Sequence, residues 1–182
     1  APDVVILATG AVPYTPDYER MGDLDVVQAV EVLHDRAAVG QSVVVVDWRS
    51  DWVGPGTAIR LARNGHRVRL AVSGYVAGET IQNYIRDHSN GMLHKHGVEV
   101  IPYSRLFGVD SRTVYLQHTV TRDAIILEDV DSVVLASAAV AVDRLADDLT
   151  DFPGEVHLVG DCLTPRTAEE AIYEGFATAM AV

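Results

Sequence analysis

Short runs of consecutive apolar residues alternate along the chain with segments that have helical spacing. Each run is bounded by small or polar residues, as is typical of strands that are buried on both faces of a sheet. The runs are Val4–Leu7, Val43–Val46, the centre of Asp131–Ser137 and, with His157 as its one polar residue, Val156–Val159. Buried strands that are interleaved with helices predict an α/β protein.

The best-defined unit begins at Gln41. A buried strand over Val43–Val46 is followed by a turn, a helix from Gly56 to Asn64 and a second strand over His66–Val72. A strand, a helix and a strand within about 30 residues are the parts of a right-handed crossover between parallel strands. This segment therefore predicts a Rossmann-like unit.

Other elements lie on both sides of this unit. We predict a connecting helix in residues 23–40, where apolar residues have close to helical spacing. Beyond the crossover, the predicted elements are a helix from Ile81 to His96 that is interrupted near Ser89–Gly91, a strand over Gly97–Ile101, a hairpin from Arg112 to Leu127, and a C-terminal helix from about Thr167 to Met180.

The strand at Val4–Leu7 and the strand within Asp131–Ser137 have similar sequences, VVILATG and VVLASA. Two such strands on either side of the crossover unit suit one domain inserted into another. We therefore expect an inserted NAD-binding-like lobe over residues 41–137, and an incomplete FAD/ADP-binding lobe over residues 1–22 and 138–182. The predicted fold is α/β, a Rossmann-like architecture with two dinucleotide-binding lobes.

The composition limits the possible partners. Of 182 residues, 48% are hydrophobic, and the formal net charge is −12. An acidic chain disfavours nucleic acid and anionic membranes as partners, and no apolar run approaches the roughly 20 residues of a membrane span. No signal peptide opens the chain, so we expect a cytoplasmic protein. Because the first residues already have strand character, we suspect a fragment of a longer protein.

The segment after the last apolar run has the pattern of an anion-binding turn. Val156–Val159 leads into Gly160 and Asp161, and a helix opens near Arg166. Gly160 lets another group approach the backbone, the first helical turn offers unpaired N–H groups, and Asp161 is an acceptor. A phosphate and a sugar hydroxyl would satisfy these groups. The alternative is a plain strand-to-helix connection that is capped by Asp161.

Three segments carry a family resemblance: Val43–Gly56 (VVVVDWRSDWVGPG), Asn64–Ala71 (NGHRVRLA) and, most specifically, Val159–Gly175 (VGDCLTPRTAEEAIYEG). Together with the order of the strands, they resemble the C-terminal half of the NADH:flavin oxidoreductases that have an old-yellow-enzyme barrel. This group includes trimethylamine dehydrogenase, histamine dehydrogenase and 2,4-dienoyl-CoA reductase. The resemblance covers nearly the whole chain.

The resemblance implies that an FMN-bearing barrel, a 4Fe–4S cluster and the first glycine-rich turn lie upstream of this sequence. It also implies an FAD or ADP site in the outer lobe. The residues that it places at this nucleotide are Thr9, Gly10, Gly160, Asp161, Arg166, Thr167 and Ala168. Because most of the affinity in such a fold comes from the glycine-rich turn, we expect the chain alone to bind FAD or ADP poorly and to be inactive as an enzyme.

The inserted lobe departs from the pattern of a dinucleotide site. The strand of such a site runs into G-x-G-x-x-G, where each glycine has a steric role. If Val46 ends the strand, Asp47, Arg49 and Trp52 occupy the glycine places, with a carboxylate where the pyrophosphate belongs and an indole that blocks close helix packing. Val72 stands where a ribose-binding carboxylate is expected. We expect this lobe to keep the fold and to have lost high-affinity NAD binding.

Other candidate groups have less support. His94 and His96 are two residues apart on a predicted helix and lack accompanying cysteines, so we expect surface histidines and no metal site. Cys162, the only cysteine, has no resolving partner and is expected to be structural. Trp48 and Trp52 either face a partner or pack under the adjacent helix. No nucleophile–base set or carboxylate pair has suitable spacing, and we predict no catalytic residue.

Two functions of different class remain. One is the nucleotide-binding portion of a flavin-dependent oxidoreductase, of the amine dehydrogenase or enoyl reductase type, with its chemistry on the upstream barrel. The other is a non-catalytic interaction or oligomerisation module with a vestigial site. In either case Val4–Leu7 and Val156–Val159 lack their natural sheet neighbours, and unpaired apolar strands pair readily with another chain. We therefore expect self-association, or a rearranged or partly disordered outer lobe. The substrate, the electron donor and the choice between ADP and FAD stay open.

Overall fold

The structure is a computed structural model that describes residues 2–182. Within these residues the chain divides into two compact units. The middle unit is Thr15–Ser137, and the outer unit combines Ala138–Val182 with the described part of Ala1–Tyr14.

The elements follow one another in short succession. The strands are β1 (Val4–Leu7), β2 (Ala11–Pro13), β3 (Glu19–Arg20), β4 (Asp25–Gln28), β5 (Ser42–Asp47), β6 (Arg67–Val72), β7 (Glu99–Ile101), β8 (Ser104–Val109), β9 (Val114–His118), β10 (Ala124–Leu127), β11 (Ser132–Ala136), β12 (Ala139–Ala141) and β13 (Glu155–Leu158). The helices are α1 (Ala29–Leu33), α2 (Val53–Arg63), α3 (Asn83–Lys95), α4 (Arg144–Asp148) and α5 (Ala168–Ala181), and a 3₁₀ turn covers Gly160–Cys162.

A parallel sheet in the order β4-β11-β5-β6-β7 forms the centre of the middle unit. Alternate residues of β5 belong to two different cores, which is why its apolar run is continuous. Val43 and Val45 pack with residues of α1, α2 and α3 on one face. Val44 and Val46 pack with residues of β8, β9 and β10 on the other. The predicted α/β class and the crossover through α2 are confirmed.

The second sheet of the middle unit has the order β10-β9-β8-β3. The predicted hairpin of β9 and β10 is confirmed, and its strands are antiparallel with Ile125 opposite Leu116. Strand β8 was not predicted. It alternates between buried and exposed residues, but its pairing with β9 is interrupted by a register shift between Leu106 and Gly108.

The predicted connecting helix in residues 23–40 is largely wrong. Its first part is strand β4, which pairs in parallel with β11, and only the five residues of α1 are helical. The reason is tertiary, because Val26 and Val27 point to opposite faces of the sheet and contact the two different cores. β-branched residues favour this pleated setting over a helix.

Two other helix boundaries differ from the prediction. Helix α2 begins at Val53 and not at Gly56, because the Val53 N–H donates to Asp51 Oδ1 at 2.9 Å and Pro55 is tolerated in a first turn. Helix α3 is continuous through the predicted interruption. There the Asn90 side chain donates to the carbonyl of Ala77 on the preceding loop, at 2.9 Å.

The outer unit is built on a small parallel pairing of β1 with β13, in which Val5 lies opposite Val156. The expectation that these two strands lack neighbours is wrong in one respect, since they pair with each other. Within residues 2–182 no further strand joins either of them. Strands β2 and β12 form a separate antiparallel pair, and the predicted C-terminal helix is confirmed as α5.

Candidate functional site

The turn after β13 brings Gly160 and Asp161 to the carboxyl edge of the β1–β13 pair. Gly160 has a φ of +67°, which side chains rarely tolerate, and a Cβ there would come within 3.3 Å of the Cβ of Ala171 on α5. The backbone conformation therefore favours glycine, and a side chain would also have to displace Ala171 of α5 by a few tenths of an ångström. Because β1 is parallel to β13, Thr9 and Gly10 follow β1 at the same edge.

The amide of Gly160 already has an anionic partner within the chain. Its N–H donates to Glu174 Oε2 at 2.7 Å, and Arg166 forms an ion pair with the other oxygen of Glu174. The side chain of Glu174 is only 17% exposed. A carboxylate of this chain thus lies against the N–H group that the sequence assigns to a phosphate.

The two N–H groups that immediately precede α5 are also engaged, while Ala168, the first residue of the helix, is exposed. The Arg166 N–H donates to Asp161 Oδ1 at 3.2 Å, and the Thr167 N–H donates to Glu170 Oε2 at 3.0 Å. Thr167 Oγ1 in turn accepts from the Glu169 N–H, which completes a capping box. The hydrogen bond from the Thr167 hydroxyl is the main cause of a lowered pKa of Glu170.

Thr9 and Gly10 bond to the segment that returns after β12. The Thr9 hydroxyl donates to the carbonyl of Val142, and the Val142 N–H donates to the carbonyl of Gly10 at 2.9 Å. Gly10 has a φ of +77°, and a Cβ there would meet no atom within 4 Å, so its backbone faces open space.

These contacts decide how the predicted residues fit an FAD or ADP molecule. Asp161 has a second carboxylate oxygen with which to accept a ribose or ribityl hydroxyl. Gly160, Arg166 and Thr167 have already donated their N–H groups to carboxylates of this chain. The outer site therefore fits a sugar hydroxyl, and it does not fit a diphosphate while Glu174 keeps its position.

Glu174 was missed by the sequence reasoning. It lies seven residues after the cap Thr167, and residues seven apart face the same side of a helix. A carboxylate at that spacing, beside a predicted anion-binding turn, was the available signal.

Asp47 lies in the middle unit, at the end of β5. The residue is fully buried, and its Oδ1 accepts from the Ser50 N–H at 2.9 Å. A Cβ on Gly54 would collide with the carboxyl group of Asp47, so this group lies directly beneath the first turn of α2. In a dinucleotide-binding fold the pyrophosphate is bound at the N-terminus of this helix.

Burial changes the acidity of this carboxyl group. Desolvation raises the pKa of Asp47 to about 7, against the lowering effect of the hydrogen bond from Ser50. Oδ2 of Asp47 is buried and has no hydrogen-bond partner among the described residues. The group is therefore held in a place where its charge is poorly compensated.

The other two glycine places of the middle unit behave differently. Trp52 is the N-cap of α2, and its side chain is half-exposed. The close contact between α2 and β5 is made by Gly54 against Asp47, so the indole of Trp52 does not keep the helix away from the strand. Arg49 pairs with Asp51 at 2.5 Å. Val72, where a ribose-binding carboxylate is expected, is fully buried.

The remaining candidates are Cys162 and the histidines of α3. Cys162 is buried, and its thiol donates to the carbonyl of Leu7 at 3.0 Å, which ties the turn to β1. His94 is exposed on the last turn of α3. In residues 2–182 there is no group of three or more His, Cys, Asp or Glu side chains that could hold a metal ion. Nor does any helix in that range have the length and apolar character needed to cross a membrane.

No family model matches the chain. The "metal reductase" of Desulforamulus reducens is 23% identical to this chain, in an alignment that covers 97% of this chain and 30% of that protein. The present chain thus spans about 30% of the length of this relative.

Similar solved structures come from oxidoreductases. Histamine dehydrogenase from Rhizobium sp. 4-9 superposes with a TM-score of 0.87 at 20% identity, over 97% of this chain and 30% of that chain. 2-Naphthoyl-CoA reductase superposes with a TM-score of 0.83 at 24% identity, over 97% of this chain and 26% of that chain. The flavoprotein disulfide reductase RclA from Escherichia coli superposes with a TM-score of 0.69 at 13% identity, over 93% of this chain and 42% of that chain.

These likenesses establish the fold. The chain has the α/β architecture of the corresponding portions of flavoprotein oxidoreductases. The resemblance drawn from the three sequence segments is confirmed, since histamine dehydrogenase belongs to the group that those segments indicate.

Proposed function

We propose that this chain is the nucleotide-binding portion of a flavin-dependent oxidoreductase of the amine dehydrogenase or enoyl reductase type. The observation that carries the proposal is the superposition on histamine dehydrogenase over 97% of the chain. 2-Naphthoyl-CoA reductase, which is similar over the same share of the chain, supports the same class. In this proposal no residue of the chain acts as acid, base or nucleophile, and the chemistry takes place on a flavin outside this sequence.

The proposal assigns FMN and a 4Fe–4S cluster to the missing part of the protein. Such a cluster is commonly held by four cysteine thiolates. The present chain has one cysteine, Cys162, which is buried and bonded to Leu7. The cluster and the barrel that carries FMN would therefore lie upstream, where the family resemblance also implies a glycine-rich turn.

The two units have different roles in this proposal. The outer unit contacts the hydroxyls of FAD or ADP through Asp161, with Thr9 and Gly10 at the same sheet edge. The middle unit keeps the dinucleotide fold but does not bind NAD, because Asp47 places its own carboxyl group beneath the first turn of α2. A phosphate brought to that turn would meet a buried, poorly compensated carboxylate.

The outer site is tested by removing the carboxylate that occupies the Gly160 amide. In the Glu174→Ala variant the Glu174 carboxylate no longer occupies the Gly160 N–H and no longer pairs with Arg166, so a phosphate can take its place. We expect ADP to raise the Tm of this variant and to leave the Tm of the wild-type chain nearly unchanged. A ligand stabilisation of about 1 kcal/mol corresponds to roughly 2–4 °C in a protein of this size.

Glu169→Ala is the matched control, because Glu169 is exposed on the first turn of the same helix. Its ADP response should equal that of the wild type. Adding Asp161→Ala to Glu174→Ala should abolish the response. If millimolar ADP and FAD leave Glu174→Ala unchanged while circular dichroism shows that it is folded, the outer unit is not a nucleotide site.

A non-catalytic interaction module is the second candidate, and one observation favours it. Helix α5 has no buried residue, and large apolar side chains project from it into solvent. Those on one stripe, four residues apart, are Ile172, Phe176 and Met180, with exposed fractions of 72%, 66% and 72%. In this candidate the stripe contacts the protein's own upstream domain. The upstream sequence of the gene product separates the two functions, since a G-x-G-x-x-G turn and a cysteine cluster are required only by the first.

A further inference from the structure

The turn between β9 and β10 is closed by an imidazole that accepts hydrogen bonds. His118 ends β9, and its Nδ1 accepts the N–H of Val120 at 3.3 Å and the N–H of Thr121 at 3.1 Å. A ring nitrogen that accepts a hydrogen bond carries no proton. In this geometry His118 is therefore neutral, with its one ring proton on Nε2.

The other N–H groups of the turn have acceptors that do not titrate. Thr119 donates to the carbonyl of Tyr103 at 2.6 Å, Arg122 donates to the carbonyl of His118 at 2.9 Å, and Asp123 donates to the hydroxyl of Thr121 at 3.4 Å. Among turn residues 119–123, which the structure describes in full, only Val120 and Thr121 donate to a group that can gain a proton.

The backbone around the imidazole is held in unfavourable conformations. Tyr103 has a φ of +51° and Arg122 has a φ of +70°, in the left-handed region that residues other than glycine rarely adopt. Such conformations persist when surrounding contacts hold them, and they are common in switch regions. A turn of this kind should change its conformation when two of its hydrogen bonds lose their acceptor.

We propose that protonation of His118 releases this turn. Histidine is the side chain whose charge ordinarily changes between pH 5 and pH 8. A proton on Nδ1 makes this nitrogen a donor, which then faces the N–H groups of Val120 and Thr121. Both hydrogen bonds are therefore present at the higher pH and are lost as the pH falls.

The groups around the ring can accommodate the imidazolium. The ring of Tyr103 lies with its centroid 5.6 Å from that of His118, at an interplanar angle of 45°, and an aromatic ring at this distance attracts a cation. The residue opposite His118 on β8 is Ser104, which is uncharged. The charged side chains of the turn itself are Arg122 and Asp123, which have opposite signs.

The turn also forms one rim of a groove. Arg122 and Gln117 line an open groove of about 330 Å³ together with Phe107 and Tyr115. The side-chain amide of Gln117 donates to the carbonyl of Arg122 at 3.3 Å, so the conformation of the turn fixes this rim. Release of the turn should therefore loosen the rim of the groove at low pH.

An NMR titration of the chain between pH 8 and pH 5 tests the proposal. The amide exchange rates of Val120 and Thr121, each divided by the rate of an unstructured peptide at the same pH, should rise roughly tenfold as the His118 ring gains its proton. The amide of His118, which donates to the carbonyl of Asp123 at 2.8 Å, should stay protected. At pH 8 the ring nitrogen shifts of His118 should show the proton on Nε2.

Two substitutions separate the acceptor from the charge. His118→Asn offers an amide oxygen to the same two N–H groups and cannot titrate, so Val120 and Thr121 should stay protected at both pH values. His118→Leu has no acceptor, so these amides should exchange rapidly at both pH values. His94→Asn is the matched control, at an exposed position on the last turn of α3, and should keep the wild-type pH dependence.

Protection of Val120 and Thr121 that stays constant while the His118 ring titrates would overturn the proposal. So would a pH dependence that persists in His118→Asn, because another group would then control the turn. Circular dichroism should show both His118 variants folded. If either is unfolded, the wild-type titration decides alone, since it needs no substitution.

Discussion

At the scale of single residues, the burial of Asp47 affects both the stability of the chain and the turn where a dinucleotide fold would bind a phosphate. Its carboxyl group is fully buried beneath α2, with Oδ1 bonded to the Ser50 N–H and Oδ2 without a partner among the described residues. Ser50 has a φ of +55°, a backbone conformation that residues other than glycine rarely adopt. Asp47 Oδ1 therefore also stabilises an unfavourable turn by accepting the Ser50 N–H. The sequence shows that an acid stands at this place. It does not show that the acid is buried or that Gly54 packs against it, because both depend on how α2 crosses β5.

Asp47 should make the stability of the chain depend on pH. Its pKa is raised from 3.8 to about 7 in the folded chain, so the folded state keeps a proton that the unfolded state loses. The stability that depends on a protonated Asp47 is fully present below pH 3.8 and is lost as the pH rises through about 7. The free energy of unfolding should fall across this window, by about 4 kcal/mol at most.

Urea denaturation between pH 5 and pH 8 (roughly the range in which most proteins are stable) measures this dependence. Asp47→Asn cannot ionise and should remove most of the decline in the free energy of unfolding. Asp25→Asn, at an exposed position that begins β4, should keep it. An equally steep decline in Asp47→Asn would show that other groups cause it.

At the scale of elements, local pattern and tertiary pairing contributed differently. The continuous apolar runs at β5 and β11 identified strands that are buried on both faces. The runs at β1 and β13 also identified strands, but the expectation of burial on both faces is wrong for β1, where Ile6 is exposed, and β13 is only partly buried. Strand β4 was mistaken for a helix because its valines also fit helical spacing, and only the pairing with β11 decides between the two. Strand β8 was missed because its buried positions include Ser104 and Gly108 while Phe107 is exposed, so the polarity of its residues does not follow their burial. Glu174 reaches the Gly160 N–H because α5 packs on the turn after β13. The spacing of residues along the sequence does not show this packing.

Helix α5 depends on its capping box. Thr167 accepts from the N–H groups of the first turn, and Glu170 accepts from the Thr167 N–H. Thr167→Ala should lower the free energy of unfolding of the outer unit by about 1 kcal/mol. Thr164→Ala is the control, because the Thr164 hydroxyl contacts only the neighbouring Leu163 carbonyl. Equal stability of the two variants in thermal unfolding would mean that α5 does not rely on this cap.

At the scale of the whole chain, a carboxyl group of the protein lies at each of the two turns where a dinucleotide fold would bind a nucleotide. Glu174 bonds to the Gly160 amide in the outer unit, and Asp47 lies beneath α2 in the middle unit. The two differ in accessibility, because Glu174 is partly exposed on a surface helix while Asp47 is enclosed. We therefore expect the outer position to be recoverable by a single substitution, and the middle position to be closed by its packing.

Calorimetric titration of the wild-type chain with NADH tests the central claim most directly. We expect no saturable heat at millimolar NADH, because the buried Asp47 carboxyl group lies beneath the first turn of α2, where a dinucleotide fold binds the pyrophosphate. Saturable one-to-one binding that is lost in Arg49→Ala and Trp52→Ala would place the dinucleotide against this turn and would contradict the account.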